Sequence, residues 1–399
     1  MTTEKKPLVT VVMPCFNEER SVVRALRSLF DEWSIKACEF LVVDGGSTDR
    51  TRAAVEELIR SLREDPPINP PYPPLQKGGT GGDLSAGRRD EFLPPTRAGM
   101  DDDVLWFASS RGAWVREPRE GRPGDWNPPV GGRRRPVIRI VDNPFRYASR
   151  GLNIGILEAR GTYIARADAG ATYSPGYIRR CVEMLGQKES ANAGGIEVPM
   201  AEGGRLAEVI ALAFGHPLGG SSTRSGRTGY AGRAETGTYR KKLFDALGLF
   251  DPKSTTDETA EFDARIILAD MKIWVDEGVK VFRCVPTTLG ELARRNFRSG
   301  QERARTAKKH RMFTSWRHIA SPLLVAMMGY SLVRGIKSPS HLLFFAAYAA
   351  GVLAAAIAGP GPKAPGPAGP GARLVTAVVL MIMHVTWGTG FLWGLLAKW

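Results

Sequence analysis

Cysteine is scarce in this 399-residue chain: there are four, widely scattered, with no Cys-x-x-Cys pair and no Cys/His spacing of the kind that binds zinc. That excludes a disulfide-stapled scaffold and a thiolate metal centre. Histidine is also rare, at five. Acidic residues fall short of basic ones, 41 against 55, which leaves a formal charge of +14. The N-terminus MTTEKKPLVTVV has no apolar stretch ahead of a cleavage site, so no secretory signal is expected there. What is present excludes two further classes. With 43% hydrophobic residues the chain is neither collagen-like nor wholly disordered. Its length allows two or three folded units with a full α/β core. The excess positive charge fits nucleic acid, or alternatively phosphate-bearing substrates and an anionic membrane surface.

The first part alternates apolar strands with amphipathic helices. Leu8–Met13 reads as a strand stopped by Pro14, and Glu39–Val43 as a second. Between them Val22, Leu26, Leu29 and Trp33 fall on one helical face. A further helix is expected over Asp49–Leu62. The rhythm argues for a parallel sheet. It stops at residues 65–136, where positions 66–136 alone hold 13 Pro and 11 Gly and have no period. This is expected to be a largely disordered insertion, part of which Trp106, Phe107, Trp114 and Trp126 could anchor as a docked patch. Strand–helix alternation resumes at Val137–Val141. It continues through a helix over Ala148–Ala159, a strand over Thr162–Ala167, helices near Tyr177–Leu185 and Leu206–Phe214, and a strand over Val279–Cys284. Thr255 and Glu258 have capping-box spacing for a helix beginning near Asp257.

The C-terminal third differs. Arg294–Arg317 holds nine Lys/Arg and one acid, a net +8 and more than half of the chain's excess. Apolar stretches follow at 321–333, 342–358 and 374–397, the last long enough to cross a bilayer with tilt. A turn of GPGPKAPGPAGPG separates the last two. Basic residues directly ahead of apolar segments follow the positive-inside pattern. They place the preceding domain in the cytoplasm and assign most of the charge to lipid headgroups along a basic interfacial segment, 294–320. Nucleic acid is therefore not expected as a partner; no aromatic–basic interleaving supports it. His384, within the last apolar stretch, is expected to make an interhelical hydrogen bond.

Three stretches could carry chemistry, because ligands of open α/β sheets bind beyond the carboxyl ends of strands. In VVMPCFNEE a strand runs into Pro14, Asn17 and Glu18. In VVDGGSTDRT, Asp44 sits at the strand tip and Gly45-Gly46 let a ligand approach the backbone. In RGTYIARADAGATY, Asp168 ends a strand and is a plausible ligand for Mg²⁺ or Mn²⁺.

Taken in order, PCFNEE, VVDGGSTDRT, DNP (142–144), GLNIGI (151–156), ARGTYIARADA (159–169) and GLFD (248–251) resemble the family 2 glycosyltransferases. The subgroup is the membrane-attached type that makes succinoglycan-like exopolysaccharides, which the tail HVTWGTGFLWGLL also resembles. The resemblance implies a GT-A fold: an α/β, Rossmann-like, mostly parallel sheet over 1–64 and 137–293, followed by a membrane region over 321–399. It implies an inverting transfer from a nucleotide sugar, a UDP-sugar in the first place, to a lipid-linked or polysaccharide acceptor. The site would be at the cytoplasmic face of a bacterial-type inner membrane that the chain crosses more than once. By resemblance Asp44 holds the nucleobase, and Pro14, Asn17, Glu18, Gly46 and Asn153 line the nucleotide pocket. Arg303 lies near the diphosphate, and Asp168 stands at the metal motif for Mg²⁺ or Mn²⁺.

Two positions depart from the family pattern. The second metal-motif acid, two residues after Asp168, is replaced by Gly170. Aligning EFDARI with the family's helix puts Thr259 where the base Asp is expected. The expected base is then Glu258 or Asp257, with Glu261 at the neighbouring acidic position. These departures also fit a second reading, a degenerate relative that acts as a partner in a polysaccharide assembly complex.

Overall fold

The structure is a computed structural model; it describes residues 6–64, 104–108, 114–118, 135–219, 228–234, 236–311, 317–358 and 370–397. The parallel half of the sheet is built from β1 (Val9–Cys15), β2 (Cys38–Asp44), β5 (Val137–Asp142) and β6 (Tyr163–Arg166), in the order β5-β2-β1-β6. β10 (Thr238–Arg240) runs antiparallel beside β6. It leads to β8 (Asn192–Met200), β11 (Ile273–Cys284) and β7 (Ala171–Tyr173), with β9 (Gly229–Tyr230) paired to β11. The β1 and β2 strands read as unbroken apolar runs because both faces of the sheet are covered. One face packs Val11, Met13, Phe40 and Val42 against the helices α1 (Val22–Ser28), α3 (Thr51–Glu64) and α5 (Tyr177–Gln187). The other packs Val12, Leu41 and Val43 against α4 (Ala148–Glu158), α7 (Lys242–Leu247) and α8 (Glu258–Leu268).

Several elements differ from their expected bounds. Pro14 does not stop β1: it continues opposite Val43, and the ladder to β6 has already ended at Val12, so no partner there needs the missing N–H. The first helical stripe is two helices, because Asp31 interrupts it and caps α2 (Glu32–Ala37), accepting from the Ser34 amide at 2.7 Å. The last strand begins six residues early, at Ile273, and its register with β8 shifts between Asp276 and Lys280. The insertion contains a two-stranded antiparallel sheet, β3 (Val104–Ala108) with β4 (Trp114–Pro118), outside the main sheet. Trp106, Phe107 and Trp114 fall on it, whereas Trp126 lies outside the described residues.

The basic stretch belongs to a longer helix, α9 (Leu289–His310), capped by Thr288, whose hydroxyl accepts from the Glu291 amide at 3.2 Å. It is not a simple interfacial helix. One face, with Asn296, Gly300, Glu302, Arg303, Ala304 and Ala307, is buried against α8 and against α12 (Pro370–Leu396). Glycines allow the helices to touch: a Cβ on Gly390 would stand 2.1 Å from the Phe297 carbonyl oxygen, and one on Gly300 2.2 Å from that of Trp387. Two further apolar helices, α10 (Arg317–Gly335) and α11 (Leu343–Ala358), flank α12. Among the described residues, two segments, Pro339–Ala358 and Gly371–Leu396, are long and apolar enough to cross a membrane by length and composition. The apolar seam between α6 (Arg205–Gly215) and α11–α12 joins this region to the sheet domain. The His384 ring bonds the Tyr348 hydroxyl across helices at 2.9 Å and the Leu218 carbonyl, also at 2.9 Å.

Candidate active site

The parallel register brings Cys15, Asp44 and Asp142 level at one sheet edge. The loops after β1 and β2 are knitted together there. Asn17 adopts φ 56°, its amide donates to the Ser47 hydroxyl at 3.0 Å, and its side-chain oxygen accepts from the Thr48 amide at 2.8 Å. The Glu18 amide donates to Thr51 Oγ1 at 2.7 Å, and Glu19 accepts from the Arg50 amide at 3.0 Å. Asp44 is buried and accepts from both the amide and the hydroxyl of Ser47, at 3.0 and 2.6 Å. Gly46, at φ 75°, takes a conformation that a side chain would strain, and it is exposed beside Asp44. Burial and the charges of Asp44, Glu18 and Asp49 push the Cys15 thiol up to about 12, so it stays protonated and unreactive.

A second cluster lies where β6, β8, β11 and α8 meet. Arg166 and Asp168, two residues apart and therefore on one side of the chain, contact each other at 3.1 Å. Arg166 also binds Glu258 at 2.7 Å. Arg283 binds Asp168 at 2.5 Å and Glu197 at 3.0 Å. Asp257, at the start of α8, is held by Arg233 at 2.8 Å and by Arg303 of α9 at 3.0 Å. Asp263 fixes this arrangement from below: it accepts from the Ala234 amide at 3.0 Å and from the Asn192 side chain at 2.8 Å. The cluster is thus a buried chain of alternating carboxylates and guanidiniums. Burial opposes ionisation of Asp168, but the charges of Arg166 and Arg283 outweigh it and bring its pKa down to about 2. Glu18 is different. Burial raises its pKa, the charges of Asp168 and Asp49 raise it further, and the Ser21 hydroxyl bond only partly offsets them.

The structure thus brings Asp168, Glu258, Asp257 and Arg303 into one cluster, with Glu18 beside Asp168, and places Pro14, Asp44, Asn17 and Gly46 along the neighbouring strand tips. Two expected site residues have other work. Asn153 spends both ends of its amide on the Phe250 backbone, at 2.8 and 2.9 Å, and so pins the GLFD loop instead of facing a ligand. Glu261 is turned toward α9, with Lys309 and His310 of that helix and Arg265 of its own helix each at 2.8 Å. Lys309, Arg265 and His310 outweigh its burial and hold its carboxyl below the usual range. Its geometry is that of a clamp between helices. The capping box expected from Thr255 does not form: Thr255 donates to Glu302 at 2.8 Å.

Sequence reading passed over Arg166, Arg283, Arg233 and Glu197. Only Arg166 carried a local signal, an arginine at the end of β6 two residues before Asp168. A cleft of about 540 Å³ lined by Asp251, Lys253, Arg305, Lys308 and Lys309 lies beside the end of α12. There Lys308 donates to the carbonyls of Leu395 and Ala397 at 3.0 Å.

Comparison with known proteins now decides the family. Residues 10–70 match the model for glycosyl transferase family 2. Over 263 residues the chain is 31% identical to the succinoglycan biosynthesis protein ExoA of Rhizobium meliloti, an alignment spanning 64% of this chain and 77% of that protein. The chain belongs to the family 2 glycosyltransferases. Its fold matches the mannosyltransferase PcManGT from Pyrobaculum calidifontis, solved with GDP-Man and Mn²⁺, at a TM-score of 0.55 and 14% identity, covering 96% of this chain and 88% of that one. That likeness confirms the GT-A architecture. As a glycosyltransferase of this fold, the chain has its candidate site at the carboxyl edge of the β5-β2-β1-β6 sheet.

Proposed function

We propose that this glycosyltransferase moves a sugar from a nucleotide-sugar donor to a lipid-linked or polysaccharide acceptor, with inversion, in exopolysaccharide biosynthesis. The observation that carries this reading is the cluster Glu197–Arg283–Asp168–Arg166–Glu258, adjoining Asp257–Arg303, at the edge where the strand tips converge. The succinoglycan role named for the Rhizobium meliloti relative, and the GDP-Man and Mn²⁺ bound by the Pyrobaculum calidifontis enzyme, support the pathway class, the donor class and a divalent cation.

Pro14, Asp44 and Gly46 would receive the nucleoside at the tips of β1 and β2. Arg166, Arg283 and Arg303 would face the diphosphate; the Arg166 Nε is buried and meets no acceptor among the described residues. Asp168 fits a hard cation: it is ionised across the working pH range, and each oxygen keeps a lone pair beside its guanidinium. When bound, Mg²⁺ or Mn²⁺ would stabilise charge on the leaving diphosphate. Glu258 or Asp257 would accept the proton of the acceptor hydroxyl. The hydroxyl oxygen then forms its bond to the anomeric carbon while the bond to the diphosphate oxygen breaks on the opposite side, which inverts that centre.

The membrane reading rests on α10, α11 and α12. Leu323, Met327, Tyr330, Val333 and Leu343 are exposed, too many apolar groups for a surface facing water. This face and the basic α9 support a placement at a bacterial-type inner membrane, crossed more than once with the sheet domain in the cytoplasm. Lys253, Arg305 and Lys308 in the cleft beside the end of α12 would meet the phosphate of a lipid-linked acceptor. The deciding experiment measures nucleotide release from a panel of UDP- and GDP-sugars by membranes containing the chain. Release from one donor, lost in Asp168→Asn, is expected; release from none refutes the reading.

A further inference from the structure

We propose that Glu18 supplies the second carboxylate of the divalent-cation site, in place of the acid missing at Gly170; the inference rests on the nucleotide-sugar reading above. The first observation is geometric. A Cβ built on Gly170 points at the Glu18 carboxylate and would stand 3.7 Å from both of its oxygens, with nothing else within 4 Å. The Glu18 carboxylate therefore fills the space into which an acid at 170 would extend. Position 170 and position 18 are alternative origins for a carboxylate at the same place.

The second observation is electrostatic. Asp168, Glu197, Asp257 and Glu258 each have an arginine within ion-pair distance. Glu18 pairs with no cation among the described residues and receives only the Ser21 hydroxyl. It also feels the like charge of Asp168. A half-buried carboxylate in the field of another carboxylate, with no positive partner among the described residues, is an arrangement that a cation relieves. Mg²⁺ and Mn²⁺ are held by one or two carboxylates together with substrate phosphates, so Asp168, Glu18 and a nucleotide diphosphate make a sufficient set.

The third observation is that Glu18 is held in position by backbone. The left-handed turn at Asn17 and the bond from the Glu18 amide to Thr51 Oγ1 fix where its side chain starts. The loop after β2 thus positions a ligand that belongs to the loop after β1.

The test is equilibrium binding of UDP and of GDP to the full chain in detergent, with and without Mn²⁺, alongside the electron paramagnetic resonance signal of bound Mn²⁺. In the wild type, Mn²⁺ should strengthen binding of one diphosphate at least tenfold. Glu18→Gln should lose that enhancement and lose the bound-Mn²⁺ signal. Moving the carboxylate, in the double variant Glu18→Ala with Gly170→Asp, should restore both. Gly170 has an ordinary backbone conformation and, without the Glu18 side chain, open space. Retention of the enhancement within twofold in Glu18→Gln overturns the inference, as does failure of the double variant to recover it while binding diphosphate normally. A wild type that binds diphosphate with no Mn²⁺ effect also overturns it. A wild type that binds neither diphosphate under any condition overturns the nucleotide-sugar reading itself.

Discussion

Arg166 is the cation on which the acidic cluster depends, and its removal should be felt first as lost stability. Its guanidinium sits between Glu258 at 2.7 Å and Asp168 at 3.1 Å, and all three side chains are largely buried, at 11%, 3% and 15% exposure. Arg166→Met keeps much of the apolar stem and deletes the charge. Two buried carboxylates then face each other across the space it leaves, with Arg283 still bound to Asp168 but Glu258 stripped of this partner. Breaking a buried ion pair by removing one partner costs about 3–5 kcal/mol, because the remaining charge is left uncompensated. At about 1.4 kcal/mol per decade, that shifts the unfolding equilibrium by two to three and a half decades. The assay is chemical denaturation in detergent at pH 7.5, following tryptophan fluorescence. Arg166→Met combined with Asp168→Asn and Glu258→Gln removes the stranded charges and should recover more than half of the loss. Were Arg166→Met to unfold within about 1 kcal/mol of the wild type, below the range for a broken buried pair, the cluster would not be the buried network described.

Three further outcomes are expected. Asp168, with its pKa lowered from 3.8 to about 2, contributes about 2 kcal/mol of stability that is fully present above pH 4 and is lost as pH falls from 4 to 2. The gap between wild type and Asp168→Asn in denaturant midpoint should therefore close over that window and not above it. Glu18 has the opposite sign: its raised pKa means that its charged form destabilises the fold, so Glu18→Gln should raise the melting temperature at pH 7 and leave it unchanged near pH 3. Gly390→Val places a side chain 2.1 Å from the Phe297 carbonyl, so α9 and α12 must separate. Hydrogen exchange along residues 296–307 should accelerate while β1 and β2 keep their protection.

The parts of the fold that were legible are those whose signal is local. β1, β2 and α3 follow from apolar runs and helical spacing within a few residues, and the structure returns them within two or three positions. The boundary errors have readable causes. Asp31 with Ser34 is an N-cap signal inside an apolar stripe, and Thr288 with Glu291 is one ahead of the basic run; both were masked by stronger patterns. The early part of β11 was hidden because the shift after Asp276 breaks its alternation. The arginine–carboxylate network was not legible for a different reason. Its links join residues as distant as Arg166 and Glu258 or Arg283 and Asp168, and no local periodicity encodes a contact between strands brought together by the sheet order. The same holds for the buried face of α9: the charges counted as a membrane collar include Arg303, Arg305 and Lys309, which turn inward to Asp257 and Asp251.

That inward turn bears on how the site must work. Each candidate base is engaged: Glu258 by Arg166, Asp257 by both Arg233 and Arg303. A carboxylate that accepts from a guanidinium is a weaker base, so withdrawing that guanidinium readies it to take a proton from an acceptor hydroxyl. A nucleotide diphosphate is the group best able to draw one away, since arginine forms its strongest pairs with phosphate and carboxylate alike. Donor binding should therefore precede productive acceptor binding, because it is the diphosphate that releases the base. Steady-state kinetics should show an ordered pattern, with the nucleotide product competitive against the donor and non-competitive against the acceptor. Arg303→Lys should distinguish the two acids. If Asp257 is the base, weakening its clamp should change the acceptor's KM and the pH profile of kcat together. If Glu258 is the base, only donor binding should respond. A random-order pattern, with acceptor bound equally well in the absence of donor, would refute the idea that the arginines hold the base in reserve.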